Sequence, residues 1–291
     1  MKRAALVLAG ALAFPAGLGA QTTVDQRRPA LPTGEVAIEN MAGTITVVGW
    51  DKPEVWVKGT LAKDADLVLD GPEGRTRVEV EVDGNPLGAH SDIEVHVPAG
   101  SNVSIEGFQA EIRVSGVSGL VEAETVNGGI TLTGRASEIN LQSVNGAIDV
   151  TGPAGRLQVE VVNGEVTVRD ASGDLEASTV NGELRILGGS FERARLESVA
   201  GGVRFEAGLS PQARLDVETV SGPATIVLGG EVKADFSVST FSGRIDNELG
   251  PEAIESSRFT PEKRLNFSTG TGGARISVQT LSGAIRIRKR S

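Results

Sequence analysis

Residues 120–187 read LVEAETVNGGITLTGRASEINLQSVNGAIDVTGPAGRLQVEVVNGEVTVRDASGDLEASTVNGELRIL. The tripeptide Val-Asn-Gly stands in this stretch four times, at Val126-Asn127-Gly128, Val144-Asn145-Gly146, Val162-Asn163-Gly164 and Val180-Asn181-Gly182, each copy 18 residues after the last. A fixed period of this length marks one supersecondary unit stacked on itself. With the Val as slot zero, slots −5 and −3 are apolar: Ile139 and Leu141, Leu157 and Val159, Leu175 and Ala177. Slots −4 and −2 are polar: Asn140 and Gln142, Gln158 and Glu160, Glu176 and Ser178. A second apolar pair follows at slots +4 and +6, as Ile130 and Leu132, Ile148 and Val150, Val166 and Val168, Leu184 and Ile186, again with a polar residue between. Alternation of this kind is a strand with one face buried, so each unit holds two short strands separated by glycine-bearing turns.

The template extends beyond these copies. Val103, Ile105, Phe108, Ile112 and Val114 fit it, with a centre at Phe108. Val199-Ala200-Gly201, Val220-Ser221-Gly222, Phe241-Ser242-Gly243 and Leu281-Ser282-Gly283 continue it with looser spacing, and Met41-Ala42-Gly43 matches near the start. A polar excursion over about 247–269 separates the last two centres, and residues 50–100 break the period with longer alternating runs. Two architectures satisfy the pattern. In an antiparallel meander each Asn-Gly is a two-residue hairpin turn. In a parallel β-solenoid each unit is one coil and equivalent strands stack at about 4.8 Å per rung. Constant unit length favours the solenoid, because stacking in register requires it and hairpins do not. Stacked Asn127, Asn145, Asn163 and Asn181 then form an amide ladder, and Gly128, Gly146, Gly164 and Gly182 are expected to supply positive φ at the corner. The expected fold is all-β, a parallel β-solenoid with two short strands per coil of about 18 residues. Its expected divisions are an N-terminal β module or cap over 34–100 and solenoid repeats over 101–288.

The N-terminus reads as a secretory signal over 1–20, with Lys2 and Arg3 before the apolar run Ala4 to Phe14 and cleavage before Gln21; a linker over 21–33 follows. With no cysteine there is no disulfide framework and no thiol chemistry. The net charge of −10 argues against nucleic acid, whose phosphates demand clustered Lys and Arg. Aromatic residues are 3% of the chain, which weakens the case for a sugar-stacking groove.

These features together resemble the bacterial putative-adhesin family of exported β-strand repeat proteins, a domain of unknown function. The residues that carry the resemblance are Glu39-Asn40-Met41-Ala42-Gly43-Thr44-Ile45, Gly49-Trp50-Asp51, Val95-His96-Val97-Pro98-Ala99-Gly100 and the repeated Val-x-Gly-x-Ile-x-Val units, over roughly residues 34 to 288. The resemblance implies a β-helix-like solenoid behind an exported leader.

Few constellations carry chemistry. His90, Asp92, Glu94 and His96 share the outer face of one strand, but residues six apart on a strand lie about 20 Å apart, too far for one metal. Glu122, Glu124, Glu160, Glu176, Glu197, Asp216 and Glu218 occupy equivalent slots and form a broken acidic face on which Glu197 and Glu218 are close enough to share a cation. Arg185 and Arg204 stand on adjoining rungs, after Asp149 and Thr167, and read as exposed ion-pair formers. Trp50 and Trp56 read as packing the N-terminal module. The expectation is a non-enzymatic exported scaffold, periplasmic or on the cell surface, with no cofactor, no metal and no catalytic residue. It would contact an envelope polysaccharide or protein through outward residues such as Glu160, Glu176, Arg185, Glu197, Arg204 and Glu218, and function is sought at the outward slots that vary from rung to rung. The alternatives are a polysaccharide-active β-helix enzyme, for which a cleft with converging Asp, Lys and Arg is the discriminator, and an envelope sensor or assembly partner that docks another protein.

Overall fold

A computed structural model describes residues 22–290 apart from 85–87, 153–154, 230–231, 253 and 258–259. The leader read over 1–20 lies outside the described residues. The described chain holds no α-helix, and its strands join one sheet system. Its centre follows the 18-residue period. Glu138–Asn145 pairs in parallel with Leu120–Asn127 on one side and with Arg156–Asn163 on the other, so that Ile139 lies beside Val121 and Leu157. The second strands Ile130–Thr133, Ile148–Thr151 and Val166–Arg169 stack likewise. Slots −5, −3, +4 and +6 fill the interior: Ile139, Leu141, Ile148, Val150, Leu157 and Val159 are each 2% exposed or less. Each such side chain contributes roughly 1.5–3 kcal/mol by leaving water. With no cysteine available, this aliphatic column and the backbone ladders hold the stack together.

The ends depart from chain order. Glu35–Trp50 pairs in parallel with Asn102–Ser115 across both slots, Val36 beside Val103 and Ile45 beside Ile112. Its other side takes Arg75–Val82 and Ser91–Pro98, also parallel. The array therefore includes the Met41 unit, which belongs in sequence to the N-terminal module read over 34–100. Beyond these strands the pairing turns antiparallel, with Ala65–Asp70 on Arg75–Val82 and Glu54–Leu61 on Ser91–Pro98. Thr22–Pro29, expected as linker, is instead the antiparallel edge strand on Glu54–Leu61. Val24 faces the core, while Asp25, Arg27, Arg28 and a terminal proline mark the strand as a protected edge. The sheet is thus mixed: parallel through the stack, as expected of the solenoid, and antiparallel at its ends.

At the other end the last strands enter between earlier ones. Arg214–Ser221 and Ala234–Ser242 are separated in space by Ala274–Ser282, which pairs in parallel with both. The 40-residue gap in the repeat arises because the unit centred on Phe241 lies beyond the unit centred on Leu281. Thr260–Ser268, from the polar excursion, then adds antiparallel to Ala234–Ser242, and the rings of Phe236 and Phe267 stack at 4.4 Å.

The corner glycines correct one expectation. Gly128, Gly146, Gly164 and Gly182 do not adopt positive φ. They are required because a Cβ on Gly146, Gly164 or Gly182 would sit 1.9, 2.1 or 1.8 Å from the carbonyl oxygen of the preceding corner glycine. Close approach of stacked backbones, not left-handed geometry, fixes glycine here.

Candidate binding groove

Strict alternation gives slot zero the parity of slots −4 and −2, so the valines of Val-Asn-Gly point outward. Val144, Val162 and Val180 are 39–40% exposed, Val199 and Val220 are 47% and 46%, and Phe241 and Leu281 are 50% and 54%. Stacking places them in one row in the spatial order Val126, Val144, Val162, Val180, Val199, Val220, Leu281, Phe241. At about 4.8 Å per rung the row is about 34 Å long. It lines a groove of about 840 Å³. An apolar row of this length, edged by polar residues, is more than scattered surface hydrophobics and makes the groove the candidate contact surface. The outward slot that varies least thus lines the groove together with the variable slot −2.

Slot −1 forms the buried floor. Thr125, Ser143, Thr179, Ser198, Thr219 and Thr240 are 1–6% exposed. Their hydroxyls donate to corner carbonyls, including Ser143 Oγ to Gly128 O at 3.0 Å, Thr179 Oγ1 to Gly164 O at 3.3 Å and Thr240 Oγ1 to Gly283 O at 3.3 Å. A short hydroxyl suits this slot because it satisfies a carbonyl that the corner leaves without a ladder partner. Thr280, in the same row, is 6% exposed and its hydroxyl has no partner among the described residues. Val161 holds this slot in its coil and needs none. On the solvent side the amides of the four asparagines form a chain: Asn145 donates to Asn127 at 3.0 Å, Asn163 to Asn145 at 2.9 Å and Asn181 to Asn163 at 2.8 Å.

Slot −2 supplies the polar edge. Glu106, Glu124, Glu160, Glu197 and Glu218 line the groove beside the apolar row, with Gln142 and Ser178 between them and Gln279 and Ser239 beyond Glu218. Glu197 is paired with the Arg195 guanidinium. Among the described residues Glu106, Glu124, Glu160 and Glu218 make no ion pair. The row continues through Glu39, which lies between Glu79 and Glu106. Partial burial, and then repulsion from Glu79 and Glu106, pushes the Glu39 carboxyl above its ordinary value.

The sequence-derived contact residues divide between two faces. Glu160, Glu197 and Glu218 lie in the groove, and Glu176 stands at slot −4 beside it. Arg185 and Arg204 lie on the other strand of the coil, side by side across two rungs. There Arg185 bridges Glu165 at 2.5 Å and Glu183 at 2.7 Å, Arg204 meets Glu206 at 2.5 Å, and Arg169 meets Asp149 at 2.9 Å. That face neutralises itself. The groove face leaves carboxylates free.

A second cluster lies at the N-terminal end, where Trp50, Trp56 and His96 pack with centroids 4.8–5.9 Å apart. Arg27 sits 4.3 Å above Trp56 and Lys52 sits 4.8 Å above Trp50. The indole N–H groups donate to Glu54 O and Asp25 Oδ1, and His96 Nε2 meets Glu94 Oε1 at 2.6 Å. The Lys58 ammonium, and then His96, holds the Glu94 carboxyl below its ordinary value. His90 falls outside this strand. No cluster of three or more metal-ligating groups occurs among the described residues.

Comparison with known proteins bears on the fold. The family model described as Toastrack DUF4097 matches residues 43–288. No protein of curated function matches the chain. Among solved structures, one named a putative adhesin from Parabacteroides distasonis ATCC 8503 has 9% identity and a TM-score of 0.47, covering 94% of this chain and 98% of that one. A second, named a putative adhesin from Bacteroides fragilis NCTC 9343, has 10% identity and a TM-score of 0.46, covering 92% and 98%. A third, named a putative lipid binding protein, also from Parabacteroides distasonis ATCC 8503, has 11% identity and a TM-score of 0.34, covering 94% and 98%. With identities near 10% and TM-scores under 0.5, family membership rests on the sequence match.

Proposed function

This chain belongs to the Toastrack DUF4097 family, and we propose that it is a non-enzymatic binding scaffold of the cell envelope. The ligand-contact surface is the groove along slot zero. The observation that carries this reading is the unbroken row from Val126 to Phe241, kept apolar on every rung although it faces solvent. Interior packing does not require it, since slots −5, −3, +4 and +6 already fill the core.

The groove's chemistry suits contact more than turnover. Its described lining consists of apolar side chains, hydroxyls, carboxylates and amides, and among the described residues no Lys, Arg or His stands there to stabilise developing charge. The leader pattern over 1–20 supports export, and no described helix is long and apolar enough to cross a membrane. The antiparallel strands at both ends serve as caps that keep the stack from extending edge to edge.

The test is binding of the chain to an array of envelope glycans and to immobilised envelope proteins. The triple variant Val162→Thr/Val180→Thr/Val199→Thr, which keeps β-branched side chains, is measured in parallel. Saturable binding that the variant loses is the expected result. Turnover of a polysaccharide, or binding that the variant retains in full, contradicts the reading.

A further inference from the structure

We propose that the groove receives a basic amphipathic helix of a partner polypeptide. This rests on the groove being the contact surface and adds the class of its occupant. Three observations lead there. The first is charge. Glu106, Glu124, Glu160, Glu197 and Glu218 run along one edge of the apolar row. Among the described residues that lining holds no cation, and the protein's net charge is −10. A second copy seated on this face would bring two carboxylate rows together, and anionic lipid headgroups or acidic polysaccharides would meet the same repulsion. An occupant with apolar side chains and Lys or Arg beside them matches both rows.

The second observation is direction. The groove crosses the strands, and inside the stack their backbone N–H and C=O groups are already used in lateral pairing. An extended ligand would leave its own backbone without partners against an apolar wall. A helix brings its backbone bonds with it, as in other helix-in-groove complexes. The third is dimension. A helix presents one apolar position per turn at about 5.4 Å, close to the rung spacing of about 4.8 Å, and the row of about 34 Å accommodates about 23 helical residues. The helix would lie along the row with leucine-like side chains against Val144, Val162, Val180 and Val199, and its basic edge over Glu160, Glu197 and Glu218.

The experiment uses the full chain and three synthetic peptides of about 23 residues, the length set by the groove. One has a leucine face flanked by lysines. The second keeps the leucine face but has glutamates in place of the lysines. The third contains the first peptide's residues in an order that breaks the leucine face. Affinities are measured by fluorescence anisotropy at low and moderate salt, against the native chain, the triple Val→Thr variant and Glu160→Gln/Glu197→Gln/Glu218→Gln. The lysine peptide should bind. The glutamate and shuffled peptides should bind at least about tenfold more weakly, and the Val→Thr variant should lose about tenfold. The Gln variant should bind more weakly with a flatter salt dependence. Equal binding of the glutamate or shuffled peptide, no binding of the lysine peptide, or an unchanged Val→Thr variant overturns the proposal. Self-association, or capture of neutral or anionic vesicles, that depends on the valines also overturns it in favour of another occupant. If the peptides fail while glycan or envelope-protein binding still depends on the valines, the scaffold reading stands and only the occupant is wrong.

Discussion

The two faces of the stack come from the same repeat and end in opposite states. On the face carrying Arg185 and Arg204, outward charges meet within and between rungs, as in Arg185 with Glu165 and Glu183. On the face carrying slots −4, −2 and zero, most outward carboxylates remain free beside an apolar row. Exposed pairs contribute about 1 kcal/mol or less each, so the paired face is not better held together. It is simply complete. The groove face has carboxylates left unpaired among the described residues, and the difference is what the proposed function rests on.

The corner that joins the faces gives the largest expected effect. In Gly182→Ala the new Cβ would lie 1.8 Å from Gly164 O, so the rungs must part. A loss of about 1–3 kcal/mol is expected by urea denaturation, as for overpacked interiors. Gly88→Ala, whose Cβ meets nothing within 4 Å, should lie within about 0.5 kcal/mol of the native chain. Equal effects would mean that the corner is looser than the stacked carbonyls indicate.

Removing an amide from the ladder should cost less. Asn163 bonds both neighbours, at 2.9 and 2.8 Å, and Asn163→Ala is expected to destabilise by about 1 kcal/mol in the same assay. The triple Val→Thr variant should leave stability nearly unchanged, because its side chains face solvent, while binding falls. A large loss of stability would show that the valines serve the fold more than the ligand.

The smallest effect concerns Glu39. Its folded pKa lies above the unfolded value, so the native state holds more protons in the window between the two. Its contribution to stability therefore falls as pH rises through the ordinary carboxylate range to the raised value. Glu39→Gln should be more stable than the native chain at neutral pH, by less than about 0.5 kcal/mol for so exposed a group. The difference should vanish below the carboxylate range. Thermal melts across pH check the sign, and a native chain more stable than the variant at neutral pH would contradict it.

Legibility in the sequence follows the same division. Between Leu120 and Ile186 each rung pairs with the unit next in sequence, so a single period reports both strands and their register. At the ends the neighbour in space is remote in sequence. Glu35–Trp50 meets Asn102–Ser115, and Ala274–Ser282 enters between two earlier strands. No local pattern encodes such insertions, because alternation specifies which side of a strand is buried and not which strand lies beside it. Thr22–Pro29 read as linker for the same reason, since its single inward Val24 is too little for a periodic signal. The groove was legible by parity: slot zero alternates with the buried slots −3 and −1. Its recurring valine reads as core composition, and only the exposed row makes the outward direction plain. The free state of Glu160 and Glu218, against the paired state of Arg185, depends on cross-rung neighbours and emerges only with the register.

In the proposed scaffold the valine row, and not the opposite face, meets the ligand. The most direct measurement places a photo-crosslinking p-benzoyl-phenylalanine at Val180 in one protein and at Arg185 in another, and irradiates each with a bound partner or the lysine-flanked helix. Crosslinks from Val180 with none from Arg185 are predicted. Crosslinking from Arg185 with none from Val180 would contradict the account.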